Sequence, residues 1–85
     1  MPRSLFTDAY DAFREALVAA RKRTGVTQVE LAARLGKPQQ FVSKVEQGDR
    51  RLDVIEFVAI CRALRLDPKH VFAAVLRQLP KDFDI

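Results

Sequence analysis

Residues 27–48 read TQVELAARLGKPQQFVSKVEQG. Thr27 and Glu30 stand in the T-x-x-E spacing of a capping box, which starts a helix at about Gln28. Leu31, Ala32 and Leu35 recur at helical spacing and form its inward side. Gly36 ends it, because glycine takes the left-handed backbone that follows a helix at no steric cost. After Leu35-Gly36-Lys37-Pro38, a second helix covers residues 38–47, with Val42 and Val45 inward and Gly48 as its stop. The stretch therefore reads as two short helices about one tight turn.

The same punctuation extends outward. Upstream, Phe6, Tyr10, Phe13, Leu17 and Ala20 form one apolar stripe on a helix over residues 7–23. Arg21, Lys22 and Arg23 complement the dipole of its last turn, and Gly25 follows. Downstream, Asp53 and Glu56 repeat the box spacing and open a fourth helix, residues 53–65, with Val54, Phe57, Val58, Cys61 and Leu64 inward. Asp67 and Pro68 open a fifth, whose apolar side is Phe72, Val75, Leu76 and Leu79. Pro80 ends it, and residues 80–85 read as a frayed tail. No period-two run appears. The expectation is an all-α chain of five helices forming a single domain over residues 1–85.

Composition narrows the function. The longest apolar run, residues 71–76, is far below the roughly 18 residues that span a bilayer. Asp8, Asp11 and Glu15 break up any N-terminal leader. One Cys (Cys61) and one His (His70) provide neither a disulfide framework nor a zinc site, which fits a cytoplasmic protein with no metal or cofactor. There is no glycine-rich phosphate loop, paired-histidine motif or serine-nucleophile motif, so the chain does not read as an enzyme. Charge is concentrated. Residues 21–51 hold eight basic and three acidic side chains, whereas the remaining residues hold seven and eight. Such a patch suits a polyanion, although an ordinary solvated face has the same composition.

Here the spacing becomes specific. The series Arg21-x-x-x-Gly25-x-Thr27-Gln28-x-x-Leu31-Ala32-x-x-Leu35-Gly36, then Gln39-x-x-Val42-Ser43-Lys44-x-Glu46-x-Gly48, followed by Arg50-Arg51, resembles the Cro/C1-type (XRE-like) helix-turn-helix family. The resemblance covers residues 17–66, with a family-like core over about 13–72. It implies a compact five-helix bundle of the lambda-repressor-like type. In it, residues 38–47 are the recognition helix in the major groove of double-stranded DNA. Base reading falls to Gln39, Gln40, Ser43 and Lys44, since a glutamine amide bonds adenine at N6 and N7 and a lysine reaches guanine O6 and N7. Phosphate binding falls to Gln28, Lys37, Arg50 and Arg51, with Gln28 also bracing Gln39. Arg21 and Glu46 take the place of a structural ion pair that seats the third helix on the first. Two positions depart from the pattern. Pro38 stands where a capping hydroxyl is usual, so the helix could begin one residue differently. Phe41 stands where a small or polar residue is usual, and either touches a thymine methyl or backbone or fills the core.

The fifth helix has more apolar surface than a narrow stripe needs. Val71, Phe72, Val75, Leu76 and Leu79, with Leu5, Phe6 and Tyr10, are the expected surface of a homodimer reading a palindromic operator. The competing arrangement has the first helix cover the fifth within one chain. The functional expectation is a small prokaryotic or phage-type transcriptional regulator acting on the nucleoid. The alternative is a protein-interaction module, antitoxin-like, that uses the same bundle to hold a partner protein. RNA binding fits less well, because Phe41 is the single aromatic on that face.

Overall fold

The computed structural model describes residues 8–83. Leu5 and Phe6 lie outside them. Among the described residues there are five helices and no strand: α1 (Asp8–Thr24), α2 (Gln28–Leu35), α3 (Gln39–Gln47), α4 (Val54–Ala63) and α5 (Pro68–Gln78). The elements start where local chemistry dictates. Thr27 and Glu30 close a full capping box at α2, and Asp53 and Glu56 close another at α4. Asp67 caps α5 through the Lys69 amide, with Pro68 in the first turn. Gly36 and Gly48, at φ 68° and 87°, end α2 and α3 with backbone bonds back to the last turn.

Pro38 is the N-cap of α3, in extended conformation and with no side-chain cap bond, so the helix starts at Gln39, one residue later than expected. Proline's fixed φ still suits the turn, because the residue before a helix is extended.

Helix α1 packs against α3 and α5, α2 against α3 and α4, and α4 against α5. The core between them is built from Leu17, Leu31, Val42, Phe57, Ile60 and Val71. Val54 is a correction: it is 73% exposed, and Ile60 takes the inward place on α4. The reason is the box at Asp53, which makes Val54 the first helical residue and leaves it projecting past the edge of the bundle. Tyr10 is buried within the chain, so it does not belong to an intermolecular surface.

Cys61 is fully buried, and burial pushes its thiol up from 9.0 to about 11. Because the thiolate is the reactive form, iodoacetamide at about pH 8 leaves Cys61 unlabelled in the native protein and labels it in urea. The sign for stability follows. The thiol's contribution is intact below pH 9.0, where both states hold the proton, and falls away as pH rises towards about 11. Mass spectrometry and urea melts at a series of pH values measure both effects.

Candidate nucleic-acid interface

The α2–α3 unit presents one face of α3 outward. Val42 and Val45 are buried, at 2% and 5% exposure, which turns Gln39, Gln40 and Lys44 into solvent and leaves Ser43 half-buried. Helical spacing explains the division, since residues 39, 40, 43 and 44 lie on the side opposite to 42 and 45.

A chain of bonds runs from the interior to that face. Arg21 donates to Glu46 through both arms of its fork, Nε to Oε2 at 2.6 Å and Nη2 to Oε1 at 2.9 Å. Its Nη1 donates to the Val26 carbonyl at 2.9 Å. Arg21 is only 9% exposed. The hydrogen bonds with Glu46 hold its guanidinium above the ordinary arginine value, against the opposing effect of burial. Gln28 Nε2 donates to the same Glu46 Oε1 at 2.8 Å. With its amino end committed to a carboxylate, the Gln28 amide has its carbonyl oxygen left for Gln39, whose Nε2 donates to it at 3.1 Å. Gln39 then retains its own carbonyl oxygen and a second N–H. One acceptor and one donor are what an adenine edge requires. The expected pair Arg21–Glu46 and the expected brace of Gln28 on Gln39 are therefore both present.

The family spacing does not mark Arg14. Its Nη1 donates to the Glu46 carbonyl at 2.7 Å, at the C-terminal end of α3 where backbone oxygens lack helical partners. The available signal was spacing: Arg14 and Arg21 are two helical turns apart and share a face of α1. Arg34 of α2 makes the same kind of bond to the Ala63 carbonyl of α4, at 2.7 Å.

The remaining expected residues flank α3. Phe41 is half-buried and packs against the core. Lys37 Nζ lies 5.5 Å from the centre of its ring and the Arg50 guanidinium 4.8 Å. Arg51 covers the Tyr10 ring at 4.2 Å, and the Tyr10 hydroxyl accepts the Leu52 amide at 3.2 Å. Arg50 is held by an acid, Glu56, that the sequence spacing marks only as part of a helix cap. Glu56 accepts both arms of its fork, at 3.0 and 2.7 Å. That bond, with the Asp53 amide, holds the Glu56 carboxyl down to about 2.

The expected dimer surface is partly corrected. Val71 and Val75 are 5% and 2% exposed, because that side of α5 is buried against the rest of the bundle, α1 included. Phe72 and Leu76 remain 48% and 54% exposed, one helical turn apart, and Leu79 is half-buried. The Phe72 ring meets Phe57 edge-on at 6.2 Å.

Comparison with known proteins agrees with this geometry. The family model described as Helix-turn-helix matches residues 17–71. A solved XRE-family like protein from Pseudomonas syringae pv. tomato str. DC3000 is 49% identical, with TM-score 0.77, over 85% of this chain and 88% of that one. The restriction-modification controller protein C.AhdI from Aeromonas hydrophila is 28% identical, with TM-score 0.64, over 72% and 92% of the two chains. The clp gene regulator ClgR from C. glutamicum, 24% identical over 85% and 94%, shares the fold with TM-score 0.75. No curated protein matches the chain. With the family match covering α2 to α4 and a half-identical structure spanning most of both chains, this chain belongs to the helix-turn-helix family, of the Cro/C1 (XRE-like) type.

Proposed function

We propose that the chain is a transcriptional regulator that binds double-stranded DNA by sequence, with α3 in the major groove. The observation that carries this reading is the bonded series Arg21–Glu46–Gln28–Gln39, which fixes an amide at the outward start of α3. Gln39, Gln40, Ser43 and Lys44 read bases. Gln28, Lys37, Arg50 and Arg51 bind phosphates, supplying affinity and register. Phe41 is the packed seat of two of those cations. The names of two similar proteins, a gene regulator and a restriction-modification controller, point the same way.

The reading extends to a homodimer on a palindromic operator, closed through Phe72 and Leu76 of each copy. A two-fold dimer places two recognition helices on half-sites about 10 bp apart, or a multiple of that. Its place of action is the cytoplasm of a prokaryotic cell. No helix among the described residues is long and apolar enough to cross a membrane.

The test is fluorescence anisotropy with a random-sequence duplex pool at two salt concentrations, followed by sequencing of the bound fraction. Salt-sensitive binding with enrichment of a palindrome is the expected result. Failure to bind at low salt overturns the reading, because a patch of this charge carries at least weak nonspecific affinity. Enrichment of a single, unrepeated half-site overturns the dimer and leaves the DNA reader standing.

A further inference from the structure

Glu56 carries two loads at the first turn of α4. Its Oε1 accepts the Asp53 amide at 3.0 Å, closing the capping box. The same oxygen accepts Arg50 Nη1 at 3.0 Å, and Oε2 accepts Arg50 Nη2 at 2.7 Å. Arg50 lies on the Phe41 ring, and Lys37 approaches the same ring. Phe41 belongs to α3, so this cluster sits on the flank of the proposed recognition helix.

Three properties make the Arg50–Glu56 pair exchangeable. It lies at the surface, with 42% of the Arg50 and 27% of the Glu56 side chain accessible, and ion pairs in such settings contribute little to stability. Glu56 keeps its cap bond and the favourable field of the helix N-terminus if Arg50 departs, so no carboxylate is stranded. Arg50 keeps the aromatic ring beneath it and its Nη1 bond to the Arg51 carbonyl at 2.9 Å, so its seat does not depend on Glu56 alone.

We infer that Glu56 is an internal stand-in for a DNA backbone phosphate. Its carboxylate fills the Arg50 fork in the free protein and gives way to a phosphodiester on the duplex, with Lys37, which lines the same cleft as Phe41 and Glu56, close to that group. The inference rests on the DNA-binding reading above and adds a residue that opposes it. A guanidinium fork takes carboxylate and phosphate in the same bidentate geometry, so one replaces the other without rebuilding the site. While Glu56 is in place, the pair adds no net charge to the surface. A phosphate contact through Arg50 starts by breaking a bond already made. Glu56 thus restrains the sequence-independent part of the affinity.

Glu56→Gln separates the two loads. Glutamine at the third helical position keeps the capping box and loses the charge. Anisotropy on a random-sequence duplex, from about 50 to 200 mM salt, would be recorded for the wild type, Glu56→Gln, Arg50→Ala and the double variant, each with a thermal melt. The expected result is binding by Glu56→Gln about two- to fivefold tighter at low salt, with a salt slope steeper by up to about 0.9. That gain disappears in the Arg50→Ala background, and the melt of Glu56→Gln stays at the wild-type temperature. Unchanged or weaker binding by Glu56→Gln, with the wild type binding normally, overturns the inference and leaves the DNA reading intact. A gain of equal size without Arg50 also overturns it, because the effect is then general charge. No binding by any of the four proteins removes the DNA reading and this inference together.

Discussion

Arg21→Leu lowers the unfolding free energy by about 3–5 kcal/mol, read from urea denaturation. The size follows from what is left behind. Glu46 is the partner of both arms of the Arg21 fork, with only 12% of its side chain accessible. Without Arg21 its carboxylate is held by the neutral amide of Gln28 alone, and the Val26 carbonyl loses its donor as well. Glu46→Ala is costly for the mirror reason, since it leaves a guanidinium in a buried place. The double variant loses much less than the two single losses added together, because the second substitution removes the stranded charge. A strictly additive double variant would mean that each residue acts through other contacts, and the pair would not be the seat of α3.

Gln39→Ala weakens binding to the preferred duplex by about 1–3 kcal/mol, roughly 5- to 150-fold, and leaves random-sequence DNA almost unaffected. The contrast is the diagnostic part. A side chain that reads a base edge contributes only where that base is present. A side chain that touches a phosphate contributes everywhere. Arg51→Ala serves as the comparison: it weakens both duplexes alike and lowers the salt slope by about one. Equal loss by Gln39→Ala on both duplexes would show that α3 does not read sequence.

Much of the fold is legible because helix ends are written locally. Thr27 with Glu30, Asp53 with Glu56, and Asp67 with Pro68 each settle a start within a few residues, and Gly36 and Gly48 settle the stops. The reading fails where a local pattern is ambiguous and a distant neighbour decides. On α5 the pairs Val71/Val75 and Phe72/Leu76 are adjacent stripes of equal apolarity. The core takes the first pair, and nothing within α5 specifies that choice. Val54 is apolar and correctly spaced for the core, yet it is the first residue of α4 and projects past the bundle. Among the site residues, Arg21, Glu46, Gln28 and Gln39 emerge from the family spacing, and the bonds between them are present. Arg14 and the second role of Glu56 do not emerge, because each depends on a loop or crossing angle that brings together residues of different elements.

Glu46 is gripped at both ends by α1, its carbonyl by Arg14 and its carboxylate by Arg21, and through Gln28 it sets the attitude of Gln39. The proposed DNA-reading unit is therefore larger than α2 and α3 alone. A transplant of residues 28–47 onto another scaffold would carry the side chains of α3 but leave its alignment behind. Two arginines, seven positions apart on the acceptor's first helix, would have to travel with it.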